Sequence, residues 1–375
     1  MPIRCDLKHA HGIGYCLYRC PMTSSARAFE VRPVDPQRGL PPAEEGAIDV
    51  VALDMNAGWP NLGFDSMLFA VRDAVCDLAA LLEGKNLRVR VLSYDVRSDV
   101  VVPRHEPGRF ALYLSSGGPG HIDPRRNDGE SEIAQGVRDD PAWEAPLAQL
   151  FEDVLADENA AFLAICHSFG LLYRHLGQAR VAVRGPEKGG KSSGQKMIAL
   201  TDEALQHPWF GRLARGAIGG RFRALDSRLC DLLAPEGANG TAAHTVLAHE
   251  TLPTSGDRGD AVTLVEFARD REGVMPRVYG TNFHPEVVGR ERFRMVLEER
   301  RASGRTTEKW YQERLEILEQ AFPPDGDEAP LLRTSDLTFL GPLRFHLYRQ
   351  VRERLEALGH DAGPLHEHRV LGRTP

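Results

Sequence analysis

Two candidate nucleophiles stand two positions apart in FLAICHSFGLL, residues 162–172: Cys166 and Ser168. NAAFLAIC reads as a buried-type strand and SFGLLYRHLG as a helix, so the pair falls at a strand-to-helix turn. Such an elbow holds the attacking residue in a strained backbone conformation and needs small neighbours where strand and helix crowd each other. With Cys166 at the tip, the residues two before and two after are Ala164 and Ser168; with Ser168 at the tip they are Cys166 and Gly170. All are small, and the local sequence leaves both readings open.

Two further segments carry chemistry. LYLSSGGPGHIDP ends a strand in Gly117-Gly118-Pro119-Gly120, a turn that can aim a backbone N–H at a developing oxyanion. In YGTNFHPEVVG a strand ends at His284, followed by Pro285 and Glu286. Side chains alternate along extended backbone, so His284 and Glu286 point to the same side, and Pro285 stiffens the connection. A carboxylate so placed orients the imidazole and stabilises its protonated form, leaving the other ring nitrogen for a nucleophile. A cysteine paired with that imidazole at a helix N-terminus is set to act as a thiolate.

The elements around these residues decide between sulfur and hydroxyl. IDVVALDM, NLRVRVLSYDV, RFALYLSSGG and NAAFLAIC read as strands that alternate with helices such as FDSMLFAVRDAVCDLAALLEG and APLAQLFEDVLADE. Apolar strands alternating with helices imply an α/β fold with a mostly parallel sheet flanked by helices, its chemistry gathered beyond the carboxyl ends of the strands. Between Gly120 and Asn159 there is a polar loop and one helix, with no hidden strand. An α/β-hydrolase needs another complete strand there. The oxyanion strand and nucleophile strand are therefore expected as neighbours joined by one crossover, and the serine reading loses.

Beyond Leu176 the strand candidates shorten: ARVAVR, KMIAL, GRFRALD, AHTVLAHE, AVTLVEFA and PRVYGTNF. GPEKGGKSSGQ has a superficial likeness to a phosphate loop through Gly185, Gly190, Lys191 and Ser192, but a strand rather than a helix follows, so an exposed loop is expected. Residues 1–46 read as an N-terminal extension and Pro-rich linker, 47–300 as the α/β domain, and 301–375 as a helical C-terminal appendage.

Composition excludes several classes. The 375 residues are 42% hydrophobic and 26% charged with a net charge of −7, which suits a globular protein and gives no footprint for nucleic acid or an anionic membrane. There is no apolar run of membrane-spanning length and no secretory h-region, and the six cysteines form no disulfide framework, so a reduced cytoplasm is expected. Cys5, His9, His11, Cys16 and Cys20 cluster near the start, but their spacings match no zinc knuckle; neither a metal nor a cofactor is expected.

Taken in order, S-G-G-P-G, an elbow cysteine and F-H-P-E resemble the class I glutamine amidotransferase family, over about Ile48 to Arg301. The resemblance implies a flavodoxin-like α/β fold and hydrolysis of the side-chain amide of glutamine, or of a γ-glutamyl amide, through a thioester. It implies Cys166 as nucleophile, His284 as base and later acid, and Glu286 as its orienting partner. Gly118 and His167 would be the oxyanion N–H donors, with Gly120 in the same substrate-binding turn. Relatives deliver ammonia to a synthase, so the resemblance implies either an amidase acting alone or one that supplies a separate synthase in trans.

The chain departs from the family pattern. Ala164 and Ser168 replace the elbow glycines, Gly170 stands in place of the glutamine that helps hold the substrate, and Asp226-Ser227 occupies the region of a His-Gly-Asp segment. A non-catalytic descendant that binds a partner through the cleft or the C-terminal helices is the competing expectation. Asn56, Trp59 and Asn61 follow the first strand at the same edge and read as turn-formers rather than pocket residues.

Overall fold

A computed structural model describes residues 28–362, apart from Pro60, Glu83, 235–243, 253–254, Val288, Arg305 and 324–325. The first strands are β1 (Phe29–Pro33), β2 (Ala47–Asp54), β3 (Arg88–Asp95), β4 (Phe110–Ser115), β5 (Ala161–Ile165) and β6 (Arg180–Val183). They are followed by β7 (Ser192–Leu200), β8 (Arg221–Arg228), β9 (Cys230–Leu233), β10 (Thr245–Thr251), β11 (Arg258–Arg269) and β12 (Pro276–Thr281). The sheet order is β1-β3-β2-β4-β5-β12-β11-β10-β7-β8, with β9 joined to β11 and β6. From β1 to β12 every neighbouring pair is parallel, and from β12 to β8 every pair is antiparallel.

The parallel half follows from its sequence. In β2, Val50 and Ala52 face one core while Val51 and Leu53 face the other, so a continuous apolar run serves two layers. One layer holds helix α1 (Leu62–Asp77), and the other holds α2 (Glu144–Ala156) and α3 (His167–His175). Asn61 caps α1, its Oδ1 accepting from the amides of Gly63 at 2.6 Å and Phe64 at 3.2 Å, which is the turn role expected of it. Asn56 is likewise buried in the β2–α1 turn, its amide donating to Asp54 Oδ1.

The C-terminal helices α4 (Arg290–Ala302), α5 (Glu308–Ala321), α6 (Ala329–Ser335) and α7 (Gly341–Ala357) form part of the packed layers. In α7, Leu343, Leu347, Val351 and Leu355 recur every fourth residue and bury the stripe expected of an amphipathic helix. Each such side chain contributes roughly 1.5–3 kcal/mol on burial. Tyr279 donates to Thr338 O at 2.9 Å and His346 Nε2 to Pro276 O at 2.8 Å, fastening this segment to β12. What reads from sequence as an appendage thus covers one face of the sheet beside α1. The stretch read as an extension and linker contributes β1, an edge strand paired with β3.

Candidate active site

The ends of β4, β5 and β12 lie side by side, because β5 pairs in parallel with both of the others. Cys166 follows β5 with φ 49° and ψ −100°, a conformation that costs on the order of 1–3 kcal/mol for a non-glycine residue. Its amide donates to Thr281 O at 2.7 Å and its carbonyl accepts from Gly170 N at 2.9 Å, so the strand and helix on either side hold the strain. Room for the tight turn comes from the neighbouring strand. Gly280 pairs with Ala164, and a Cβ on it would lie 2.3 Å from the Phe169 ring. A glycine in β12 thus opens the elbow that Ala164 and Ser168 would otherwise crowd.

Ser168 is fully buried, with Oγ 2.6 Å from Ser115 Oγ and 2.5 Å from Ser116 O. It braces the helix against the glycine turn and has no path to a substrate. Cys166 is half-buried and free, with Ser227 O at 3.9 Å from Sγ.

His284 Nδ1 lies 2.8 Å from Glu286 Oε1, and Glu286 is completely buried. The carboxylate packs on the first turn of α1, where a Cβ on Gly63 would come within 2.5 Å of Oε1. The positive end of that helix favours a negative charge there. Nε2, the other ring nitrogen, is buried and accepts no hydrogen bond among the described residues. Burial disfavours the imidazolium, but Glu286 and the adjacent Cys166 sulfur outweigh it and raise the proton affinity of His284 well above the ordinary value. Gly117 marks where the two meet: a Cβ there would lie 2.9 Å from His284 Cε1 and 3.4 Å from Cys166 Cβ.

The glycine turn is held from behind by Arg97. Its guanidinium donates to Met55 O at 2.9 Å and Pro119 O at 2.8 Å, and pairs with Asp139 at 2.9 and 2.7 Å. Both Arg97 and Asp139 side chains are wholly buried. Gly118 runs so close to Met55 that a Cβ would fall 2.2 Å from its carbonyl oxygen. Gly120 lies farther along, its amide already donating to Gln135 Oε1 at 3.1 Å, which leaves it no N–H for an oxyanion. The His167 side chain is buried and kept neutral, first by desolvation and then by the charge of Arg97. Its backbone amide belongs to the first turn of α3, where amides lack intrahelical acceptors.

Cys166, His284, Glu286, Gly118 and His167 therefore share one edge of the sheet, and Gly120 stands apart. Ser116 and Gly117 of the glycine turn and Ser227 of the Asp226-Ser227 segment also build this edge, as do Arg97 and Asp139, to which the sequence alone gives no role. Trp59 is exposed and packs over Gly136. Gly170 abuts Ile122, whose Cδ1 would lie 2.3 Å from a Cβ at that position. A cavity of about 310 Å³ lies between α2 and α3 at Trp143, Leu171 and Arg174, but it holds no nucleophile, and Arg174 there already pairs with Glu144 at 2.9 Å. Among the described residues no three His, Cys, Asp or Glu side chains group as a metal site, and no helix is long and apolar enough to cross a membrane. The cluster Cys5, His9, His11, Cys16 and Cys20 lies outside the described residues.

No protein-family signature matches the chain, and no curated protein matches it in sequence. Among solved structures it is similar to a candidate GMP synthase subunit from Thermoplasma acidophilum, at 14% identity and TM-score 0.35, over 68% of this chain and 98% of that one. A protein designated SMU.1228c matches at 13% identity and TM-score 0.39, over 82% and 98%. A candidate ThuA-like protein from Bacteroides uniformis matches at 10% identity and TM-score 0.32, over 69% and 93%.

Proposed function

We propose that the protein is an amidase of the class I glutamine amidotransferase type, acting on the side-chain amide of glutamine or a γ-glutamyl amide through Cys166, His284 and Glu286. What supports this reading is that a free thiol on a strained elbow and an imidazole bound through Nδ1 by a buried carboxylate follow the ends of two paired strands.

In this mechanism the Cys166 sulfur, its proton transferred to His284 Nε2, attacks the amide carbon. The oxyanion is met by the N–H groups of Gly118 and His167. The imidazolium then gives its proton to the leaving nitrogen, the C–N bond breaks, and ammonia departs from a γ-glutamyl thioester. Water attacks the thioester while His284 takes its proton. The C–S bond breaks, and the acid and the thiol are regenerated. Ammonia passes to solvent or to a separate synthase.

One observation favours a second reading. Ile122 fills the space beside Gly170, where the family pattern has the glutamine that helps hold the amino-acid end of the substrate, so that hold is missing for glutamine and γ-glutamyl amides alike, which favours a binding module. An ammonia-release screen over glutamine and γ-glutamyl amides, run on wild type and Cys166→Ala, tests both. Release that depends on Cys166 supports the amidase, and its absence on every amide supports the binder.

A further inference from the structure

The N–H of Gly118 belongs to a peptide flanked by two glycines, and such a peptide turns over easily because neither residue carries a Cβ to hold it. In a planar trans peptide the N–H points away from the carbonyl, so whatever holds Gly117 O also sets the direction of Gly118 N–H. Among the described residues that N–H donates to no protein acceptor. It can serve an oxyanion in only one orientation of the peptide.

Ser116 supplies the hold. Its Oγ lies 2.9 Å from Gly117 O and donates to it. A hydroxyl has one proton and two lone pairs. Both lone pairs are occupied here, by the Met55 amide at 3.0 Å and the Asn56 side-chain amide at 3.4 Å, which leaves the proton for Gly117 O. Asn56 is itself fixed, because its backbone amide donates to Asp54 Oδ1 at 3.0 Å and its Nδ2 donates to the same oxygen. Ser116 and Asn56 are both buried, so bulk water does not compete for these bonds.

The order of the sheet explains why these residues meet. β2 and β4 are parallel neighbours, Leu53 pairing with Ser115, so the turn after β2 and the turn after β4 leave the sheet together. β3 and β4 flank β2 on opposite sides, and the crevice at such a reversal is where open α/β sheets bind ligands. Other carbonyls of the glycine turn are tied as well, Ser116 O by Ser168 Oγ and Pro119 O by Arg97. Among the described residues, only Ser116 Oγ holds the carbonyl of the donor peptide itself.

We propose that Ser116, set by Asn56 and Asp54, is a positioning residue for the oxyanion donor: its hydroxyl pins Gly117 O and so keeps Gly118 N–H available to the carbonyl oxygen of the amide that Cys166 attacks. The proposal rests on the reading of Cys166 as the nucleophile and Gly118 as a donor.

Two reagents separate this role from packing. p-Nitrophenyl acetate acylates a cysteine through a tetrahedral oxyanion: the C–S bond forms, the C–O bond breaks and nitrophenolate leaves. Iodoacetamide alkylates the same sulfur by displacing iodide, with no oxyanion. Both rates are measured in wild type, Ser116→Ala, Asn56→Ala and Ser115→Ala, with Cys166→Ala as the background. The acylation-to-alkylation ratio is expected to fall roughly tenfold in Ser116→Ala and by a smaller factor in Asn56→Ala. It should hold in Ser115→Ala, which loses the buried bond to Ser168 Oγ but leaves Gly117 O pinned. An unchanged ratio in Ser116→Ala, or an equal fall in Ser115→Ala, would overturn the role and leave Cys166 standing. Wild type reacting no faster than Cys166→Ala with either reagent would remove the nucleophile, and the positioning role with it. Thermal unfolding reports whether each variant is folded; should Ser116→Ala not be, the ratio in Asn56→Ala decides on the same terms.

Discussion

Glu286 Oε1 lies 2.8 Å from His284 Nδ1, while Oε2 of the same buried carboxylate has no hydrogen-bond partner among the described residues. The carboxylate is therefore committed to the imidazole and to little else, which makes its charge the natural point of attack for a test. In Glu286→Gln the proton affinity of His284 is expected to fall, read as a shift of its ring resonances in an NMR pH titration. The sign for stability follows. His284 in the folded protein holds its proton above the ordinary value of 6.5. Its contribution is therefore present in full below about 6.5 and is lost as pH rises through the raised value. The stability advantage of wild type over Glu286→Gln should shrink across that window. An advantage that grows with pH would contradict the assignment.

Gly117→Ala places a methyl 2.9 Å from His284 Cε1, and the ring must move away from the thiol to accept it. Turnover on any amide that wild type cleaves should drop on the order of 10- to 100-fold with the melting temperature little changed. Equal turnover in both proteins would mean that the ring is not held where the chemistry needs it.

Gly280→Ala tests how the elbow gains its space. The new methyl would meet Phe169 at 2.3 Å, an overlap that repacking must relieve at about 1–3 kcal/mol in denaturant unfolding. Full stability in this variant would show that β12 does not set the elbow's clearance.

Ser168→Ala strips Ser115 Oγ and Ser116 O of a buried partner and should cost about 1–3 kcal/mol. Amide cleavage should persist at a reduced rate. Complete loss with the fold intact would restore the hydroxyl as a nucleophile.

The parts legible in the sequence are those fixed by local pattern. Apolar runs ending in Gly-Gly, Cys166 and His284-Pro285 mark three strand ends, and the missing strand between Gly120 and Asn159 makes β4 and β5 neighbours, as the pairing of Tyr113 with Phe162 shows. What stays hidden depends on contacts between distant segments. Phe29–Pro33 is a strand only because β3 offers it an edge. The clearance over the elbow comes from Gly280, more than a hundred residues after Ala164, so inspection of the elbow alone registers a defect. The Arg97–Asp139 pair joins the single helical turn Val96–Asp99 after β3 to a polar loop, with no motif between them. After residue 300 the apolar stripe of α7 is legible, but that it closes the same layer as α1 depends on distant contacts such as Tyr279 with Thr338.

The most direct measurement is the mass of the protein after incubation with a glutamine-like chloroketone, in wild type, Cys166→Ala and His284→Ala. Among the described residues Cys76 is disulfide-bonded and Cys230 is buried with its thiol pushed up to about 12, so neither competes. The account predicts a single adduct on the Cys166 peptide in wild type, slower labelling in His284→Ala and none in Cys166→Ala. An unmodified wild-type protein, or equal labelling after Cys166 is removed, would contradict it.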